Sequence, residues 1–261
     1  IVQENISKLR KHNHFVMDTE EGDLACGYSG RGRMASIYEI ICAIKTYLHY
    51  KQDFRSKKIL ISAGASIERI DPMRYISNVS TGKMGLSLVR AAYFRGADVT
   101  LVYSSLQGEL PFYSENIKAL SADEMYKKIN KCYSKYDIVI MCAAVADFTP
   151  LKFSSNKIKK KGDMNLDLIR TTDILSEISK KKKDNQIIVG FAAESEDLEK
   201  NAIGKMQKKN LDMIVANSLC TAGESDTEIF IFKRSKENKP INVSGDKYFV
   251  ANKVLDEIKG E

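Results

Sequence analysis

Five short apolar runs at residues 58–63, 98–103, 137–143, 187–192 and 211–216 constrain this chain more than anything else in it. They are rich in Val and Ile and too hydrophobic to leave one face in water, which is how central strands of a parallel sheet read. Segments of helical length separate them. Residues 82–95 place Met84, Leu88, Ala91 and Ala92 on one face, and Arg95-Gly96 ends the helix. Residues 198–209 form a second helix, with Ser195 as N-cap and Glu196 and Asp197 in its first turn. A further strand at 228–233 and a closing helix at 251–258, apolar at Ala251, Val254, Leu255 and Ile258, complete the pattern.

The alternation predicts an α/β fold: a doubly wound, mostly parallel, Rossmann-like sheet with helices on both faces. It occupies residues 51–261, with 51–57 as a polar linker, and a smaller unit precedes it at 1–50. In that unit we expect a helix at 3–11, a strand near 14–17 and a glycine-rich loop at 20–34 holding Cys26. A helix at 36–50 follows, with Ile37, Ile41, Ile44 and Leu48 in register. The chain opens on Ile1 and is expected to be a piece of a longer polypeptide.

The net charge of +7 is concentrated in the lysine runs 157–161 and 180–183 without interleaved aromatics, so nucleic acid is not the expected partner. Five scattered cysteines with no Cys-x-x-Cys pair give no disulfide framework or zinc site. No apolar run reaches membrane-spanning length, and the expected location is the cytoplasm, away from membranes.

In open α/β sheets ligands bind beyond the carboxyl ends of the strands. After the first strand comes a polar loop, 71–85, that opens a helix at Thr81-Gly82 and can aim free N-H groups at an anion. It is not a P-loop, because the required Gly and Ser/Thr positions hold Ser77 and Met84. It is not a dinucleotide fingerprint either, because 62–67 supplies only Gly64. After the third strand, small residues precede Asp147, whose carboxylate suits a cation or a hydroxyl; after the fourth comes Phe191-Ala192-Ala193-Glu194.

Together these strand ends resemble phosphopantothenate-cysteine ligases. The resemblance is carried in order by Ser62-Ala63-Gly64, Glu68, Ile70-Asp71-Pro72, Arg74-Tyr75-Ile76-Ser77-Asn78 and Thr81-Gly82-Lys83-Met84-Gly85. It continues through Ala143-Ala144-Val145-Ala146-Asp147, Lys157-Ile158-Lys159-Lys160, Thr172-Asp173-Ile174, Gly190-Phe191-Ala192-Ala193-Glu194 and Leu211-Asp212-Met213-Ile214-Val215-Ala216-Asn217. Upstream, Leu24-Ala25-Cys26-Gly27 with Gly30, Gly32, Arg33 and Met34 is similar to the tail of phosphopantothenoylcysteine decarboxylases, which microbial chains fuse ahead of the ligase. The flavin-binding segments have no counterpart, so FMN and decarboxylation are expected only of an intact parent.

The resemblance implies ligation of 4'-phosphopantothenate to cysteine through an acyl-cytidylate made from CTP with Mg2+, by a homodimer that can assemble further in the full-length protein. It places Asn78 and Lys157 in catalysis, and Arg74, Asn78, Ala143 and Ala144 at the acyl substrate. It places Gly64, Ser80, Gly82, Met141, Cys142, Ala143 and Lys157 at the nucleotide. Thr172, Asp173, Ile174, Leu175, Phe191, Lys205 and Lys209 join them there, and Asp147 serves nucleotide and metal. Cys26 matches the decarboxylase proton donor and is expected to be inert without the rest of that site.

Read without the resemblance, Asn78 is a turn residue, Arg74 a loop cation, Phe191 core, and Lys205 and Lys209 surface lysines on one helix edge. The sequence departs from the family at Gly64-Ala65-Ser66, at Thr171-Thr172-Asp173 and in a late loop, Ser225-Asp226-Thr227-Glu228, which leaves that loop without an assigned role. The competing readings are a nicotinamide-dependent oxidoreductase of similar topology and a basic RNA-binding module.

Overall fold

The computed structural model describes residues 1–24, 27–50, 52–159, 162–194, 197–218, 226–234 and 239–260. They form two compact units, 1–51 and 52–261.

In the first unit, α1 (Val2–Lys11) stands close to its expected place and has no buried residue. Residues 14–17 are irregular where a strand was expected. The glycine-rich stretch is a hairpin, not a loop: β1 (Glu20–Asp23) pairs antiparallel with β2 (Ser29–Arg33), Gly22 opposite Gly30. Gly27, at φ +82°, supplies the left-handed turn residue. Helix α2 (Ile37–His49) is capped by Ser36, whose Oγ accepts from the Glu39 N-H at 3.3 Å. The stripe Ile37, Ile41, Ile44 and Leu48 that marked this helix in the sequence is exposed, and Glu39, Cys42, Ala43 and Thr46 are buried instead.

The second unit begins with β3 (Lys58–Ala63), a short hairpin of β4 (Ile67–Arg69) and β5 (Tyr75–Ser77), α3 (Lys83–Phe94), β6 (Asp98–Tyr103), β7 (Glu115–Lys118) and α4 (Ala122–Cys132). It continues with β8 (Ile138–Met141), a second hairpin of β9 (Phe148–Pro150) and β10 (Leu168–Arg170), α5 (Ile174–Ser179), β11 (Ile187–Glu194) and α6 (Leu198–Lys208). It closes with β12 (Met213–Ser218), β13 (Asp226–Lys233), β14 (Ile241–Asp246) and α7 (Lys247–Lys259).

The main sheet runs β14-β13-β12-β11-β8-β3-β6-β7, parallel from β12 to β7 and antiparallel at β12–β13 and β13–β14. The chain therefore starts in the middle, builds toward β7, then returns to build the other side from β8. This is the doubly wound order predicted from the apolar runs. Because side chains alternate along a strand, one face offers Leu60, Val139, Ile188 and Ile214 to Met125 and Ile129 of α4, Ile178 of α5 and Met206 of α6. The other face, including the fully buried Ile59, Ile61 and Ile140, is covered by α3 and α7.

Gly96, at φ +92°, lets the chain turn out of α3 and enter β6. Just before it, Arg95 is 1 % exposed and binds the Asp53 carboxylate at 2.6 Å, Asp256 at 2.9 Å and the Asn252 carbonyl at 3.0 Å. Buried Lys233 likewise donates to the Glu257 carbonyl at 2.6 Å. These cations are buried with hydrogen-bonded partners, which offsets the cost of taking charge out of water.

The proposed N-cap Ser195 lies outside the described residues, as do Cys26, Lys160, Lys161 and Ser225; Asp197 occupies the N-cap place of α6. Residues 226–228, read as part of a loop, open β13.

Candidate functional site

The strand order reverses between β3 and β8, and the loops leaving their carboxyl ends are stitched together. The Ala143 N-H donates to Ser62 Oγ at 3.1 Å, Ala144 N-H to the Gly64 carbonyl at 2.8 Å, and Ala146 N-H to Ser66 Oγ at 3.0 Å. Ser62 and Ser66 are fully buried, so their hydroxyls serve the fold here and hold the small residues of the second loop in place.

Three glycines let α3 approach the end of β3. Gly64 has φ +86°, and a Cβ there would lie 2.2 Å from the Ser105 carbonyl oxygen. A Cβ on Gly82, which has φ +70° and caps α3, would meet Leu106 at 2.1 Å and the Gly64 Cα at 3.2 Å. A Cβ on Gly85 would meet the Ala63 Cβ at 2.4 Å. A tight turn, a helix start beside it and close helix–strand contact are the roles glycines play in dinucleotide folds. Here an inserted hairpin separates them in sequence and the fold reunites them.

The tip of that hairpin is organised by Asp71, which is 0 % exposed. Its Oδ1 accepts from the Met73 and Arg74 N-H groups, both at 2.8 Å. Its Oδ2 accepts from Arg74 Nε at 3.0 Å, from Arg74 Nη2, and from the Ile158 N-H at 3.1 Å. Arg74 Nη2 also donates to the Ile158 carbonyl at 2.7 Å. The Arg74 guanidinium holds the Asp71 carboxyl well below the usual carboxylate range; burial opposes this, and the backbone donors reinforce it. The expected substrate cation Arg74 is thus tied through Nε and Nη2 to Asp71 and to the lysine segment.

Asn78 Nδ2 donates to the carbonyls of Ala144 at 3.3 Å and Val145 at 3.2 Å. With both amide hydrogens on carbonyls, the side chain keeps Oδ1, an acceptor, for any ligand. Lys157 and Asp147 are exposed. The Asp147 carbonyl accepts from Thr171 N-H at 2.9 Å, and Thr171 Oγ1 donates to the Ala146 carbonyl at 2.6 Å, which brings the 172–175 segment alongside.

Within it, Thr172 is exposed and Ile174 is buried. Leu175 fills the space that a Gly190 side chain would take, 2.9 Å from its Cβ position. Asp173 caps α5 through Ser176 and pairs with Lys209. Ser80 Oγ accepts from the Gly82 N-H at 3.3 Å. Half-buried Phe191 stands in register with Val215, and Met141 with Gly190. Burial pushes the Cys142 thiol up to about 12, so it stays protonated. Lys205 is exposed one turn before Lys209 on α6.

The structure thereby gathers Gly64, Asn78, Ser80, Gly82, residues 141–147 and the Thr172–Lys209 cluster at one edge of the sheet. The Lys157 segment is attached through Asp71. Sequence reading gave no role to Asp71, Ser62 or Ser66. For Asp71 a signal existed, since Asp followed by Pro marks a turn closed by the Asp side chain.

No group of three or more His, Cys, Asp or Glu side chains among the described residues could form a metal cage. A lone exposed carboxylate such as Asp147 could give a hydrated cation at most one or two of its ligands. No helix among the described residues is long and apolar enough to cross a membrane.

Residues 54–260 match the family described as DNA/pantothenate metabolism flavoprotein C-terminal domain. The chain is 40% identical over 237 residues to the coenzyme A biosynthesis bifunctional protein CoaBC of Borreliella burgdorferi, covering 90% of this chain and 61% of that protein. It is 42% identical over 229 residues to a protein from an unknown prokaryotic organism named cysteine/cysteine sulfinic acid decarboxylase, covering 85% and 63%. Among solved structures, the C-terminal domain of a CoaBC protein superposes with a TM-score of 0.68 at 32% identity, covering 80% of this chain and 96% of that one. The chain spans less than two thirds of the length of these two curated relatives.

Proposed function

Because the chain belongs to the family of DNA/pantothenate metabolism flavoprotein C-terminal domains, we propose that it is the ligase part of a coenzyme A biosynthesis enzyme. In this reading a carboxylate oxygen of 4'-phosphopantothenate attacks the α-phosphorus of CTP, and the bond to the bridging oxygen breaks to release pyrophosphate. The cysteine amine then attacks the acyl carbon, CMP leaves with the acyl oxygen, and the amine gives up a proton. FMN and decarboxylation would belong to a decarboxylase domain fused ahead of this one.

The observation that carries the reading is the way one hairpin links two loops: its Asn78 end reaches the carbonyls of Ala144 and Val145 beside the switch point, and its Asp71 tip holds the segment bearing Lys157. Two polyanionic substrates need a cation nearby and fixed positions more than covalent help. Lys157 and Lys209 supply charge, and the start of α3 supplies backbone N-H groups. Mg2+, held by Asp147 and the phosphates, would neutralise the triphosphate. Asn78 Oδ1 suits an N-H donor, which the incoming cysteine amine provides.

The homodimer is part of the same proposal, with exposed Tyr75, Phe148, Leu168 and Ile169 on the two small hairpins as its apolar surface. Sedimentation showing a monomer at micromolar concentration would remove that part alone.

Pyrophosphate release should require both 4'-phosphopantothenate and a nucleotide, with CTP preferred over ATP, GTP and UTP. Release that ignores the acid substrate would overturn the reading, and preference for another nucleotide would correct only the base. Carbon dioxide release from cysteine by this chain alone would favour the chemistry of the relative named as a cysteine decarboxylase.

A further inference from the structure

Residues 154–158 contain no helix or strand, and exposed Lys157 sits inside them. The segment is held from outside. The Ser154 N-H donates to the Ile70 carbonyl at 3.0 Å, while its Oγ braces the segment internally by donating to the Asn156 carbonyl at 2.7 Å. On the other side of the lysine, Ile158 has both backbone groups in one closed ring. Its N-H goes to Asp71 Oδ2, its carbonyl receives Arg74 Nη2, and Arg74 Nε returns to the same Asp71 oxygen. The ring spans 87 residues of sequence and has a fully buried carboxylate at its centre.

We propose that Asp71 is a positioning residue for Lys157, fixing through Arg74 and the Ile158 backbone the stretch that presents the lysine to the nucleotide. The proposal rests on the ligase reading for what Lys157 touches, but not for the mechanical link. A neutral group cannot replace the carboxylate: it offers the guanidinium no matching charge and leaves buried donors without an acceptor. Lysine in place of Arg74 keeps a charge but cannot bridge carboxylate and carbonyl with a planar fork. The strengthened acidity of Asp71 agrees with this geometry.

The test uses the full chain with Asp71→Asn and, should that variant not fold, Arg74→Lys. Hydrogen exchange should accelerate at the amides of 154–158 and remain unchanged in β3. Pyrophosphate release should fall roughly 10- to 100-fold, as expected when a reacting group is displaced by about 1 Å. In a Lys157→Gln background the same change should cost less than about twofold, because both act through one residue.

Unchanged exchange at 154–158 in a folded variant would overturn the proposal, as would losses that simply multiply in the double variant. Wild-type chain that releases no pyrophosphate with CTP and 4'-phosphopantothenate would defeat the ligase reading instead, and the exchange result would still decide the link.

Discussion

The ammonium of Lys209, at the end of α6, lies 2.9 Å from the carboxylate of Asp173, which caps the start of α5. The two helices are thus tied at the edge of the sheet where the nucleotide is proposed to bind. Burial raises the pKa of Asp173, but hydrogen bonds from Lys209 and Ser176 outweigh it and leave the carboxyl below its ordinary range.

Lys209→Ala should raise the KM for CTP about tenfold, the scale of one charge-assisted hydrogen bond. Asp173→Asn keeps an effective N-cap, so it should cost less than about 1 kcal/mol of stability, in line with a partly exposed ion pair. Steady-state kinetics and urea unfolding separate the two, and an unchanged KM for Lys209→Ala rules out its contact with the nucleotide.

Asn78→Asp puts a carboxylate against the Ala144 and Val145 carbonyls, replacing two donated hydrogen bonds with repulsion. The circular dichroism spectrum should remain native while ligation falls about 100-fold through loss of position. Full turnover in this variant would remove Asn78 from the site.

Two helix glycines should respond in opposite directions to alanine. Gly85→Ala forces a methyl to 2.4 Å from Ala63 and should destabilise by about 1–3 kcal/mol. Gly204→Ala, with no neighbour within 4 Å, should stabilise by about 0.5–1 kcal/mol through helix propensity. Thermal unfolding of both variants checks the close approach of α3 to β3, which equal shifts would contradict.

Asp71 sets a pH dependence whose sign is fixed. Its folded pKa lies below the ordinary 3.8, so its contribution to stability is complete above about pH 4 and is lost as pH falls further. Asp71→Asn should therefore be less stable at pH 7, and its deficit in urea midpoint should shrink between pH 4 and pH 2. A deficit that stays constant over that range contradicts the assignment.

The sheet was legible because its parallel strands are buried on both faces, so Ile59, Ile61, Val139 and Ile140 announce themselves as apolar runs. What escaped was built from weaker signals. β7 and β10 have no buried residue, and β14 alternates between half-buried and exposed. Helix α4 buries only Ala122, Met125 and Ile129, although the Ser121-x-x-Glu124 start signal was readable; Ser121 Oγ accepts from the Glu124 N-H, and Glu124 accepts from the Leu120 N-H. In the first unit, a period-correct stripe on α2 misled about which face is buried.

The site was legible in its parts and not in its connections. Asn78, Asp147 and Asp173 stand at loop and helix ends where sequence reasoning looks. The partners of Asn78 lie 66 and 67 residues away, and the Ile158 partner of Asp71 lies 87 away. No local pattern encodes contacts at that range. The split of Gly64 from Gly82 and Gly85 likewise hid a glycine arrangement that exists only in space.

Starting the sheet in its middle also gives its central pairing a long sequence separation. β3 is synthesised before β8, its neighbour on one side, and the two are aligned by Asp137, which accepts from the Lys58 N-H across 79 residues. Closing so long a loop before any pairing rewards it makes this step slow compared with forming α3 or α4. Until it happens, β3 has one long apolar flank open to other chains, and the crevice does not exist. Ligand binding at this edge therefore reports that this long-range pairing has formed.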